Sequence, residues 1–247
     1  MGTKISIVCF FIWLVVSCTQ PTTPVTTNAR SADTLDAQTN LDSLSTSLYE
    51  QKESINTGYP IDYDTSLWTE VTHLDPRLSI DLPYATINNF VEEKMYECPR
   101  CFLRPEAAEA LQKVHNELIV AGYHLKLLDC YRPKSVQEKL WAKVPNATYV
   151  TPPKKGSMHN RGFAVDVTLI DAAGEEVDMG SPFDYFGRRA HQDFYDLDPA
   201  ILARRKLLKE TMAQFGFKHI RTEWWHYSYQ GPYKSPFKIA DFEWSCH

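Results

Sequence analysis

The sequence predicts an α+β domain: a small mixed or antiparallel sheet, two or three larger helices and a cleft at one edge. Three stretches point to it. Residues 104–121 read as a helix that ends at Gly122, and 123–130 follow at once as an apolar strand. Phe163, Val165, Val167 and Leu169 alternate with Ala164, Asp166 and Thr168, the period of a strand with one face in the core. Pro199 to Phe215, opened by Asp198 and closed by Gly216, reads as a further helix, and Tyr227 and Tyr229 begin another strand-like alternation.

The chain begins differently. Met1 to Lys4 is short and basic, Ile5 to Val16 is apolar apart from Ser6, and Val15-Val16-Ser17-Cys18 sets a small residue before a cysteine. Residues 1–17 are therefore expected to be a secretory signal peptide. It resembles a bacterial lipoprotein signal, with Cys18 as the first mature residue and the site of lipidation. The apolar run is too short for a spanning helix, which needs about 20 residues. Met1 to Ser6 also fits an N-myristoylation pattern, but that pattern accounts for neither the apolar run nor Cys18.

From Thr19 the chain is rich in Thr, Ser, Asn, Asp and Gln and poor in large apolar residues, too little to offset its ordering entropy. Residues 18–58 are thus expected to be a lipidated N-terminus and flexible tether, and 59–247 the folded domain. A formal net charge of -5 over 247 residues gives no sign of a nucleic-acid partner, and no protein partner is implied. The expected location is a bacterial cell envelope, lipid-anchored on the periplasmic or extracellular face.

The domain holds Cys98, Cys101, Cys130 and Cys246, an even number that suits disulfides in an exported protein. Helix 104–121 and strand 123–130 each span roughly 25 Å. A strand returning antiparallel along the helix brings Cys130 back beside Cys98 and Cys101. The expected pairs are Cys101 with Cys130 and Cys98 with Cys246. A four-cysteine zinc knuckle and a redox Cys98-x-x-Cys101 stay open, although the first lacks paired CxxC spacing and the second a thioredoxin-like βαβ setting.

The chemistry concentrates in three places. In "GSMHNRGFAVDVTL", residues 156–169, His159 precedes a glycine that permits a sharp bend, and Asp166 points off the apolar face of the strand that follows. "RTEWWHYSY", residues 221–229, adds Glu223 and His226. Two histidines and a carboxylate from separate segments are a common ligand set for a catalytic zinc, with a further carboxylate as general base. Residues three apart face opposite sides of a regular strand, so Glu223 and His226 converge only if Glu223 lies at a bend before the strand. Whether Asp166 or Glu223 is the ligand stays open on spacing alone. "LKLLDCYRPKS", residues 125–135, ends a strand in Asp129, Tyr131 and Arg132, and Pro133 can open the next helix. Arg132 suits an oxyanion or carboxylate partner; an internal salt bridge to Asp129 or Asp81 is the alternative.

With these pieces the domain resembles the zinc D-alanyl-D-alanine dipeptidases, the group of the vancomycin-resistance dipeptidase. Ser157 to Asp166 fits the motif S-x-H-x-x-G-x-A-x-D, and Glu223-Trp224-Trp225-His226 fits E-x-W-H. "DLPYATINNF" (81–90), "DCYRP" (129–133) and "MGSPFDYF" (179–186) look like further family blocks, in the family's order. The resemblance implies a small α+β fold shared with the hedgehog signalling domain and one Zn2+ per domain. It implies His159, Asp166 and His226 as ligands, Glu223 as general base and Arg132 as oxyanion stabiliser. Tyr84, Ser157 and Asp184 would then bind the substrate, with Asp184 rejecting long peptides.

The expected activity is hydrolysis of D-Ala-D-Ala. Because a resistance enzyme must act in the cytoplasm, where the dipeptide is made, an exported one is expected to serve peptidoglycan turnover or dipeptide scavenging. A D,D-carboxypeptidase or endopeptidase on wall peptides and a non-catalytic zinc-containing binding module are the alternatives. His115 and His124 read as surface or packing residues, and one of Trp224 and Trp225 as core. His191 has no clear part, and the sequon at Asn146-Ala147-Thr148 reads as chance.

Overall fold

The computed structural model describes residues 60–231 and 238–246. The expected signal peptide (1–17), the lipid site Cys18 and the tether (18–58) lie outside the described residues. In chain order come β1 (Thr69–Glu70), α1 (Val71–Leu74), β2 (Ser79–Ile80), β3 (Phe102–Leu103), α2 (Pro105–Val120) and β4 (His124–Asp129). α3 (Lys134–Lys143), β5 (Ala164–Ile170), α4 (Pro199–Gln214), β6 (Phe217–His219) and β7 (His226–Tyr229) follow. Strands β2-β4-β5-β7-β6 form a five-stranded sheet in that order, and β1 pairs with β3 apart from it. β2 runs parallel to β4 and every other neighbour pair is antiparallel, so the sheet is mixed. Among the described residues no helix is long and apolar enough to cross a membrane.

Local chemistry sets the boundaries. Pro105 opens α2, where a missing N–H is harmless, and Glu106 places negative charge at the positive end of the helix dipole. At the far end Gly122 takes φ +86°, the left-handed region a side chain resists. The Tyr123 N–H then reaches Leu118 O (3.0 Å) and the Gly122 N–H reaches Ile119 O (3.0 Å), a Schellman closure that hands the chain directly to β4. α4 is capped by Asp198, whose carboxylate accepts the Ala200 N–H at 2.7 Å.

Helix α2 buries Ala107, Leu111, Val114 and Leu118 against Leu125 and Leu127 of β4 and Val165, Val167 and Leu169 of β5. Because β4 runs back along α2, Cys130 meets Cys101 at a Cα separation of 5.4 Å and is bonded to it; Cys98 is bonded to Cys246 at 5.9 Å. Closing a loop of 29 residues is worth about 3 to 4 kcal/mol in the chain-entropy view.

The structure departs from the sequence reading in two respects. All seven residues of β5 are buried, so Asp166 leaves the apolar face without reaching open solvent. The cleft expected at one edge draws its strand residues from β5 and β7, neither of which is an edge strand, because β6 folds back along β7 and takes the outer place beside it.

Candidate active site

Asp129, Asp166 and His226 form a row across the sheet, each opposite the next in the β4–β5–β7 register. Residues paired in this way share a face. His159 joins them from a single 3-10 turn, His159–Arg161, that ends at Gly162 with φ +75°. A side chain at Gly162 would be strained there, and its Cβ would come within 2.5 Å of the Trp68 ring. This close approach is what folds the turn back over β5.

The three candidate ligands converge. His226 Nδ1 lies 2.9 Å from Asp166 Oδ1, His159 Nε2 lies 3.4 Å from the same oxygen, and the two ring nitrogens are 3.1 Å apart. Outer partners orient the rings. The Nδ1–H of His159 donates to the carbonyl of Cys130 (2.7 Å), which can only accept, and His226 Nε2 lies 3.1 Å from Ser228 Oγ. His159 therefore turns the lone pair of Nε2 inward, and His226 turns Nδ1 inward, with Nε2 on Ser228, toward the same carboxylate oxygen. Three acceptors this close repel one another unless a cation lies among them, so the residues present fit a metal ion. The electrostatics agree: burial opposes the charge of His159, but Asp166 outweighs it and raises the imidazole pKa. Burial likewise disfavours the Asp166 anion, yet His159 and His226 hold its pKa below the usual carboxylate range.

Glu223 stands in the bend before β7, the one placement that lets it share a cleft with His226. Burial pushes its pKa up to about 8, His226 opposing and the carboxylates of Asp166 and Asp184 adding to the rise. In the same cleft the Tyr84 hydroxyl donates to Asp184 Oδ2 at 2.8 Å. Burial pushes Asp184 up to about 7, against the lowering effect of that hydrogen bond. Both carboxyl groups thus sit where an incoming positive charge favours their ionised forms. The cleft has a volume of about 310 Å³, and Tyr84, Arg132, Ser157, Asp184 and Glu223 line it together with the three candidate ligands.

Arg132 is 9 % exposed. Its Nε and Nη2 donate to Asp129 Oδ2 (3.0 and 2.6 Å), and Nη1 donates to Gln137 Oε1 (3.0 Å). The internal salt bridge is thus present, and it does not exclude the catalytic reading, since a guanidinium has five N–H groups and these bonds use three. Asp81 pairs with Lys126 instead. Ser157 Oγ accepts the His159 backbone N–H at 3.2 Å, which ties it to the ligand turn as well as to the cleft.

Other residues the sequence singled out stay apart from the site. Trp224 and Trp225 are both core, not one of the two. His115 is buried against Asp75 (2.9 Å) and approaches His124 at 3.3 Å. His191 lies beside Arg188 and Arg221.

Several supporting residues complete the site; the sequence reading names Asp129, as a salt-bridge partner of Arg132, but not Asn160. Asp129 accepts from Tyr96, Arg132 and its neighbour's backbone N–H, and so anchors one wall. Asn160 donates to Arg132 O (2.7 Å) and accepts the Ser157 N–H (2.7 Å), joining two of the sequence blocks. Residues 238–246 lie over the same turn, with the Ala240 N–H on Asn160 O (2.8 Å) and the Phe242 N–H on the Tyr131 hydroxyl (2.9 Å). Cys246 was the one sequence signal for that strap.

A family model described as D-ala-D-ala dipeptidase matches residues 65–243. The chain is 34% identical over 183 residues to the D-alanyl-D-alanine dipeptidase of Escherichia coli (strain K12), covering 74% of this chain and 94% of that protein. It is 33% identical over 171 residues to the protein of that name from Enterococcus faecalis (strain ATCC 700802 / V583), covering 60% and 83%. A solved structure of a vancomycin-resistance D,D-pentapeptidase in complex with Zn(II) is more distant: 18% identity, TM-score 0.37, 53% of this chain and 74% of that one.

Proposed function

The chain belongs to the D-ala-D-ala dipeptidase family of metallopeptidases, and from that premise we propose that it hydrolyses D-Ala-D-Ala to two D-alanines. One Zn2+ would be held by His159, Asp166 and His226. The observation that carries this reading is the convergence of His159, Asp166 and His226 in one cleft with Glu223 and the hydrogen-bonded Tyr84–Asp184 pair. A zinc ion in such a site supplies Lewis acidity and a water that ionises near neutral pH.

The chain's own groups do the rest. Asp184, oriented by the Tyr84 hydroxyl, holds the substrate ammonium. Glu223 takes a proton from the attacking water and delivers it to the leaving nitrogen; burial alone favours its protonated form, and a cation held by the three ligands beside it would favour the carboxylate that a base requires. The uncommitted N–H groups of Arg132 stabilise the carbonyl oxygen as it becomes negative. Arg132→Lys keeps a cation near Asp129 but cannot hold the carboxylate, Gln137 and a substrate oxygen together. It is expected to lower kcat by about 10²- to 10³-fold with zinc content unchanged, measured by steady-state kinetics beside metal analysis.

Parallel assays on D-Ala-D-Ala and N-acetyl-D-Ala-D-Ala test the substrate. Acetylation removes the charge that Asp184 would pair with and adds bulk beside that carboxylate, so the blocked compound should be a poor substrate. Equal or preferred hydrolysis of it would sink the dipeptidase reading in favour of a D,D-carboxypeptidase.

We further propose an extracytoplasmic location, with lipid at Cys18, and a role in peptidoglycan turnover or scavenging. Two disulfides support an oxidising compartment, and the signal-like start of the sequence supports export. Cys18→Ser is expected to move the protein from the membrane to the soluble fraction; an unchanged membrane fraction would count against the lipid anchor.

A further inference from the structure

Arg205 breaks the pattern of its helix. It stands with Ile201, Leu208 and Met212 on the buried stripe of α4, at spacings that belong to apolar residues, and is 5 % exposed. Among the described residues no carboxylate lies within hydrogen-bond reach of it. Its acceptors are all backbone carbonyls: Nε donates to Met179 O (2.6 Å), Nη2 to Arg189 O (3.0 Å) and Nη1 to His191 O (3.1 Å). A buried cation so placed is costly, and burial lowers its pKa to about 10.

Those carbonyls share one property: they lie at the two ends of the segment 179–191, which carries Asp184 at its middle. The planar guanidinium reaches both ends at once, which a hydroxyl or amide on α4 could not do. Asp184 itself has φ +56°, a strained conformation for a residue with a side chain. Such strain persists only where the surroundings over-determine the backbone. The clasp from α4 and the Tyr84 hydrogen bond at the tip together supply that constraint.

We propose that Arg205 is a positioning residue for recognition of the substrate amine: by clasping both ends of 179–191 it fixes the Asp184 carboxylate against Tyr84, where a free dipeptide's ammonium must bind. This rests on the reading of Asp184 as the ammonium partner. Without the clasp, ammonium binding weakens while the ligands and Arg132, which stand on other segments, keep their places; Glu223 is reached only indirectly, through the ring of its neighbour Trp224, 5.7 Å from the Arg205 guanidinium.

The zinc-loaded full chain, Arg205→Met and Arg205→Lys are compared for kcat and KM on D-Ala-D-Ala and N-acetyl-D-Ala-D-Ala, with zinc content and melting temperature measured alongside. The parent should prefer the free dipeptide. Arg205→Met should raise KM for it by about tenfold or more, with kcat within about twofold and zinc retained, and the preference over the acetylated compound should shrink by a similar factor. Arg205→Lys should fall between, since an ammonium keeps the charge but reaches one end of the segment. A lower melting temperature with unchanged KM and preference would overturn the inference, because a merely structural arginine predicts that result. Should Arg205→Met fail to fold, Arg205→Lys decides: raised KM at parental kcat supports the clasp, and parental KM overturns it. A parent that does not discriminate overturns the reading of Asp184 and this inference with it, whereas a discriminating parent with an indifferent Arg205→Lys overturns the inference alone.

Discussion

Replacing Glu223 by Gln is expected to lower kcat on D-Ala-D-Ala by about 10²- to 10⁴-fold, the range for loss of a positioned acid–base group. Zinc content should stay at the parental level. The two readouts separate because Glu223 precedes β7 and shares the cleft with His226 without joining the three converging acceptors. An amide of the same shape fills the same volume, so Arg132 and Asp184 are left undisturbed. What disappears is the ability to carry a proton, and KM should therefore change far less than kcat. A Glu223→Gln protein as active as its parent would remove the residue from the mechanism, whereas a zinc-loaded parent without hydrolytic activity would favour the non-catalytic binding module.

The second large effect is expected at Asp166. It contributes the only negative charge among the three candidate ligands and touches both rings, at 2.9 and 3.4 Å. Asp166→Ala leaves two histidines with inward ring nitrogens and no counter-charge for a divalent cation. Losing an outer-shell partner typically weakens metal affinity by about 10- to 100-fold, and losing this ligand should exceed that range. Purified Asp166→Ala is expected to carry no zinc after dialysis and to show background hydrolysis. Melting curves give an independent reading. Metal at about a thousand times its dissociation constant stabilises a fold by about 4 kcal/mol. The parent should lose that increment on chelation and regain it with zinc, whereas Asp166→Ala should melt at one temperature throughout. Zinc-dependent melting in the variant would place the metal elsewhere.

Much of this fold is legible in the sequence wherever local chemistry decides. Pro105 and Gly122 bracket α2 because each suits a backbone state that other residues resist, and the lengths of helix and strand bring Cys101 to Cys130. The three-residue spacing of Glu223 and His226 carried a geometric demand, a bend before the strand, and the chain has that bend. What lay hidden depends on tertiary adjacency. Arg132 looked like a choice between salt bridge and catalysis; only the count of its N–H groups against Asp129 and Gln137 shows that one side chain can serve both. The carbonyl of Cys130 sets the tautomer of His159, yet a carbonyl has no signature in a sequence. Arg205 did leave a trace, a charge on an apolar stripe, but α4 read as an ordinary core helix while the segment it clasps was unplaced.

The register across β4, β5 and β7 has a consequence for the order in which the molecule can fold. Asp166 and His226 are 60 residues apart, His159 and His226 are 67, and Tyr84 and Asp184 are 100. None of these meetings belongs to a hairpin or helix that could form early on its own, and contacts of such separation arrive late because the entropy of the intervening loops must be overcome first. The ligand set therefore comes into being only when the central sheet closes. Zinc uptake by a refolding chain would then time the last act of folding, and a partly folded chain would hold the ion no better than scattered histidines do.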